Sequence, residues 1–129
     1  MEAATPKHTL EMQVRDYELD LQGIVNNAVY INYLEHARHQ FLTDHGIDFE
    51  GLFREGIAAM VIKSEIKYKQ PLRSKDEFVV ETYTSKKGRF KIIFHQTILN
   101  KQDHSVCIEA EITTACIDLA TKKPVEMNW

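Results

Sequence analysis

Nowhere does this sequence hold an unbroken apolar run of about 18 residues, so nothing in it reads as a membrane-spanning helix. Cysteine occurs only twice, at Cys107 and Cys116. The odd separation within one predicted strand turns them to opposite faces, too far apart for a bridge, so they read as small buried apolar side chains. Glycine and proline are scarce, at five and three in 129 residues, which excludes collagen-like and low-complexity chains. The opening MEAATPKHTL lacks a basic stretch followed by an apolar one, so it does not read as a secretory signal, and a cytoplasmic location is expected. There is no Gly-x-Ser-x-Gly elbow. His36 and His39 sit three apart without a matching acid motif and the other histidines are scattered, so neither a metal site nor a resident cofactor is expected.

Strong net charge is missing too. A formal charge of −3 argues against general nucleic-acid binding. Its distribution is uneven: residues 63–91 carry +5 and the remainder −8. Lysines that guard solvated strand edges would produce such a segment. So would a surface for a phosphate-bearing ligand. Charge alone favours the first reading.

What is present suits one domain spanning residues 1–129, with 43% hydrophobic and 27% charged residues. HTLEMQVRDY alternates, Leu10, Met12 and Val14 against Thr9, Glu11, Gln13 and Arg15, and predicts a strand. AVYINYLEHARHQFLTDHG changes period: Tyr30, Tyr33, Leu34, Ala37 and Phe41 fall at helical spacing. Asn26 or Asn27 can cap this helix of about 17 residues, and Gly46 can end it in a left-handed turn. Residues 47–57 read as a connection with a short helical turn. AMVIKSEIKYK then predicts a strand with Met60, Ile62, Ile66 and Tyr68 on one face. EFVVETYT and RFKIIFHQTIL form a hairpin across SKKG. A last long strand runs from about Val106 to Ile117, followed by a turn at DLATKKP. Short connections imply antiparallel neighbours, so the fold class is α+β, one long helix against an antiparallel sheet of about five strands. One helix cannot cover both faces and both edges of such a sheet, which predicts a homodimer or homotetramer.

The stretch DLQGIVNNAVY carries more polar apparatus than a helix entry requires. Asp20 follows the first strand, Gly23 permits a reversal, and the helix start offers unpaired backbone N–H groups around Asn27, Ala28 and Val29. The positive end of the helix dipole points the same way. Fixed donors can hold a developing oxyanion while a nearby carboxylate attacks or activates water. The plainer reading keeps Asp20 as a turn residue and the asparagines as caps.

DLQGIVNNAVYINYLEHAR resembles the opening motif of hotdog-fold acyl-CoA thioesterases of the 4-hydroxybenzoyl-CoA thioesterase type. IKSEIKYKQPLRSKDEFVVET is similar to that family's second and third strands, and CIDLATKKPVEM to its C-terminal strand and turn. The resemblance runs from about Val14 onward. It implies a long helix wrapped by a curved antiparallel sheet and paired into dimers. Asp20 matches the family's catalytic carboxylate, and Asn27 the helix-start position whose backbone N–H polarises the thioester carbonyl. Gly23 matches the turn glycine, and Tyr30 and Glu35 the helix aromatic and acid, although Glu35 can also pair with Arg38 three residues on. GIVNN blends two branches of the family, with Ile24 where one branch has His, so the substrate carries over from neither.

The basic segment gains meaning from the resemblance, because a CoA ester brings a diphosphate and a 3′-phosphate to the mouth of the site. Lys86, Lys87 and Arg89 are the first candidates to hold them, with Lys67, Lys69 and Arg73 behind. The expected activity is hydrolysis of an acyl-CoA thioester, with Asp20 as general base or nucleophile and no partner beyond that small-molecule substrate: no nucleic acid and no membrane. An acyl-carrier-protein thioesterase and a non-catalytic acyl-CoA-binding module are the alternatives.

Overall fold

The computed structural model describes residues 7–127. After β1 (His8–Gln13), a single 3-10 turn (Asp16–Glu18) and a loop lead into α1 (Asn27–Asp44) and the short α2 (Phe49–Arg54). The strands β2 (Ile57–Tyr68), β3 (Glu77–Lys87), β4 (Lys91–Asn100), β5 (Val106–Asp118) and β6 (Pro124–Val125) follow. The sheet order is β1-β3-β4-β5-β2, antiparallel throughout, with the two-residue β6 on β5. This is the expected α+β arrangement.

Each end of α1 is fixed by local chemistry. Asn26 is the cap: its side-chain oxygen accepts the Ala28 N–H at 2.9 Å. At the other end Gly46 takes φ +77°, and the N–H groups of Gly46 and Ile47 donate to Thr43 and Leu42. The apolar stripe Tyr33, Leu34, Ala37 and Phe41 packs against Phe78, Val80, Phe94 and Ile98 of the central strands. One polar group enters that layer. Gln96 is fully buried, donating to the Leu34 carbonyl at 3.0 Å and Thr82 Oγ1 at 3.2 Å and accepting from Arg38 Nη1 at 3.1 Å. Every hydrogen-bonding group of the amide is in use, so it ties helix to sheet without an unsatisfied atom.

Two sequence expectations need correction. Met60, Ile62, Ile66 and Tyr68 do not share a face. Val61 pairs with Thr114 and Lys63 with Thr113, so Ile62 is an extra residue, and the alternation inverts there. Ala59, Val61, Ile66 and Tyr68 end up on one face and Met60 on the other. The hairpin turn is also displaced: Ser85, Lys86 and Lys87 belong to β3, and the reversal uses Gly88, Arg89 and Phe90, with Gly88 at φ +67°. Both cysteines are buried and free, and burial pushes the Cys116 thiol up to about 11.

β2 is an edge strand of 12 residues, and Met60, Val61 and Ile62 on it are about half exposed. A long edge with exposed apolar side chains is the kind that soluble proteins normally cover.

Candidate active site

Residues 19–25 form a tight loop. Leu19 and Val25 bridge, Asp20 N–H donates to the Ile24 carbonyl at 2.8 Å, and Gly23 closes the reversal at φ +79°. A residue with a Cβ is strained at that φ, which explains the glycine. The loop docks on the segment after β2, where Val25 N–H donates to the Leu72 carbonyl and Ile24 bridges Arg73. Leu72 N–H in turn donates to the Tyr30 hydroxyl at 2.8 Å. Tyr30 therefore lies buried under the site as a strut, and burial raises its hydroxyl pKa.

The Asp20 carboxylate divides its labour. Oδ1 accepts the N–H groups of Gln22 at 2.8 Å and Ile24 at 3.4 Å. Oδ2 has no partner among the described residues. Turn residue and candidate catalyst are thus two oxygens of one side chain. At the helix start, Asn26 takes the Ala28 N–H with its side chain and the Val29 N–H with its carbonyl. Asn27 N–H donates to nothing among the described residues, and it stands at the positive end of an 18-residue helix. A cavity of about 200 Å³ opens there, lined by Ile24, Asn27, Tyr30, Tyr68, Lys69 and Pro71 among others.

Glu18 is a site residue that the sequence did not reveal. It is buried, and its carboxylate accepts the Arg15 N–H and the Tyr33 hydroxyl, both at 2.7 Å. Its carbonyl accepts the N–H of Asn26, the residue that caps α1. Glu18 thereby clamps the Asp20 loop to the helix, and burial together with this carboxylate pushes the Tyr33 hydroxyl far up. No periodicity marks such a residue. Only the i,i+3 spacing to Arg15 hints at it.

Other sequence candidates fall elsewhere. Glu35 is exposed two turns down α1, beside a second cavity of about 240 Å³ that it shares with Arg38, Leu42, Phe49, Met60 and Phe94. It forms no ion pair with Arg38, whose guanidinium turns inward to Gln96; burial lowers the Arg38 pKa, and the Glu35 charge opposes that. Lys86, Lys87 and Arg89 lie at the far end of the sheet. Lys86 shares its row with Ile92, Thr114 and Val61, whereas Tyr68, beside the Asn27 cavity, shares its row with Ile108. Six residues along β5 separate the rows, about 20 Å. A single protomer does not bring this basic hairpin to Asp20 and Asn27, and Arg89 is occupied by Glu126 at 3.0 Å. At the site's own end, Lys69 lines the Asn27 cavity and Arg73 bridges Ile24 of the loop. Among the described residues no cluster of His, Cys, Asp or Glu is arranged to hold a metal, and no helix is long and apolar enough to cross a membrane.

A long helix packed against an antiparallel sheet in this strand order is the architecture of the hotdog thioesterases. Residues 14–128 match the family model of the thioesterase-like superfamily, and the chain belongs to that superfamily. It is 41% identical to the chloroplastic acyl-acyl carrier protein thioesterase ATL2 of Arabidopsis thaliana over 86% of its own length and 59% of that protein. The chain thus spans about three-fifths of that plant relative. It is 31% identical to the long-chain acyl-CoA thioesterase FadM of Escherichia coli over 92% of this chain and 89% of that one. Its fold superposes on a 1,4-dihydroxy-2-naphthoyl-CoA thioesterase from Synechocystis with a TM-score of 0.89 at 17% identity, covering 95% of this chain and 90% of the other.

Proposed function

We propose that the chain hydrolyses an acyl-CoA thioester to the free acid and CoA in the turn between residues 20 and 27. The observation that carries this is that two groups seven residues apart, the Oδ2 of Asp20 in the loop and the N–H of Asn27 at the start of α1, both lack a partner among the described residues. The N–H polarises the thioester carbonyl and holds its developing charge. Asp20 acts as general base on water or adds directly as nucleophile. The kinship with the long-chain acyl-CoA thioesterase FadM supports this choice of substrate. Thiol release from a panel of acyl-CoA esters, with aromatic, short and long acyl groups, tests it. No hydrolysis of any member above the buffer rate removes the reading.

The plant relative ATL2 favours a second reading, in which the thioester arrives on acyl carrier protein. Acyl-carrier-protein esters assayed beside the same acyl-CoA esters discriminate the two by kcat/KM. A module that binds acyl-CoA without turning it over is the remaining alternative, and it predicts tight binding with no thiol release.

In this reading Lys69 and Arg73 receive the nucleotide phosphates of CoA from within the protomer, which their nearness to the Asn27 cavity and to Ile24 supports. Lys69 is paired with Glu109 at 3.4 Å, but both are nearly half exposed, and such a pair yields readily to a phosphate. Replacing both cations by Ala is expected to raise KM for acyl-CoA several-fold with little change in kcat, the signature of lost uniform binding. The effect should fade as salt rises and be absent for a thioester that lacks the nucleotide. Replacing Lys86, Lys87 and Arg89 should raise KM only if a second copy brings its hairpin to the site. Unchanged KM in both variants removes the cationic-mouth idea altogether.

The open β2 edge and the apolar residues on it support the homodimer, or dimer of dimers, expected from the sequence. Light scattering at micromolar concentration should give twice or four times the chain mass of 15.0 kDa. A stable monomer there counts against it. A cytoplasmic location, without metal or resident cofactor, completes the proposal.

A further inference from the structure

The face of the sheet turned away from α1 carries a second constellation that thioester hydrolysis does not use. Gln96 reaches the helix, so its strand neighbour His95 points to the opposite side. There Ser85 Oγ lies 2.7 Å from His95 Nε2, and Glu111 Oε1 lies 3.7 Å from His95 Nδ1. Tyr83 stacks on the imidazole at 4.5 Å with the rings 8° from parallel, which holds the ring in plane between the two partners. Tyr83, His95 and Glu111 form one cross-strand row, and Ser85 is the diagonal neighbour on β3. Ser85 is exposed, while the His95 side chain is only 22% accessible. A cleft of about 250 Å³ adjoins the row, with Lys67 and Thr97 in its wall.

We propose that Ser85 is a second nucleophile, with His95 as its base and Glu111 orienting the imidazole, and that it takes small activated esters and phosphonates. The carboxylate beside Nδ1 favours the tautomer with the proton there, which leaves Nε2 free to accept from the serine hydroxyl. Ser85 Oγ adds to the ester carbonyl as its proton passes to His95 Nε2. The bond to the leaving oxygen then breaks, and His95 returns that proton to it. Water, deprotonated by the same nitrogen, adds to the acyl-serine; the bond from the acyl carbon to Oγ then breaks, the carboxylic acid leaves, and His95 returns the proton to Ser85 Oγ. The strand amides around the row are committed to the sheet ladders, and Lys67 lies three strands away from Ser85, so the row offers no dedicated donor for the developing oxyanion. Turnover is therefore slow, and covalent capture is the sharper readout.

The test uses the full chain carrying Asp20→Asn, so that the thioesterase reading and this one fail separately. A fluorophosphonate probe, which loses fluoride on attack by an activated serine, should mark Ser85 in a peptide mass map. Ser74 and Ser105 serve as internal controls, because each hydroxyl bonds a carboxylate and neither bonds a histidine. Labelling of Ser85 should fall about a hundredfold or more in His95→Gln, the scale of a lost general base, and fall less in Glu111→Gln. Slow p-nitrophenyl acetate hydrolysis should vanish in Ser85→Ala, while the same substitution in the chain with Asp20 intact leaves acyl-CoA hydrolysis unchanged. Labelling of Ser85 no faster than Ser74 and Ser105, or undiminished in a folded His95→Gln, overturns the proposal. If His95→Gln does not fold, ester hydrolysis that persists in Ser85→Ala overturns it equally.

Discussion

Asp20→Asn should leave the protein folded and lower thioesterase turnover by at least about a hundredfold, the scale of a lost general base. The two oxygens of Asp20 make this substitution unusually clean. Oδ1 holds the N–H groups of Gln22 and Ile24, and an asparagine oxygen in the same place accepts both. Oδ2 becomes an amide nitrogen, which can neither take a proton from water nor attack a carbonyl. Asp20→Ala loses both functions at once, and the unpaired turn should cost about 1–3 kcal/mol of stability if those amides stay dry. Comparing the two variants in a melting curve and a thiol-release assay separates the turn from the chemistry. A near-native kcat in Asp20→Asn takes the carboxylate out of the mechanism, and the turn role alone then accounts for it.

Most of the fold was legible because its signals are local. The period of Tyr30, Tyr33, Leu34, Ala37 and Phe41 marks α1, and Asn26 and Gly46 mark its ends within a residue or so of where they fall. Strand alternation is equally local, and it failed in one place for a local reason. A bulge adds one residue without altering composition, so AMVIKSEIKYK looks regular while Ile62 shifts the register beneath it. What sequence cannot show is which distant loops share an end of the sheet. Lys86, Lys87 and Arg89 form the denser basic cluster, but antiparallel strands carry them away from Asn27, and the sparser Lys69 and Arg73 are left beside it. Glu18 was hidden for a similar reason. Its partners Tyr33 and Asn26 become neighbours only once the loop folds back on α1. The cluster of Ser85, His95 and Glu111 depends on the pairing of three strands, and residue spacing carries no trace of it.

Asn27→Pro should reduce kcat by about 10²–10³ while leaving the helix in place, because it deletes one backbone donor and almost nothing else. Proline is favoured at the first position of a helix, where its missing N–H has no intrahelical partner and its fixed φ suits the turn. The residue before it must be extended, and Asn26 already is, at φ −63° and ψ 141°. Asn27 N–H makes no hydrogen bond among the described residues, so none of those is broken. Its side chain is exposed, and Asn27→Ala, which keeps the N–H, should retain nearly the parent rate. The pair of variants therefore distinguishes a backbone donor from a side-chain contact at the same residue. If the donor acts mainly on the transition state, kcat and kcat/KM fall together in the proline variant. A rise in KM with kcat preserved would mean that the N–H only anchors the substrate. Proline and alanine variants of equal activity would mean that the helix start does not polarise the carbonyl at all, and the oxyanion donor would then have to be sought elsewhere around the cavity that Tyr30 and Tyr68 enclose.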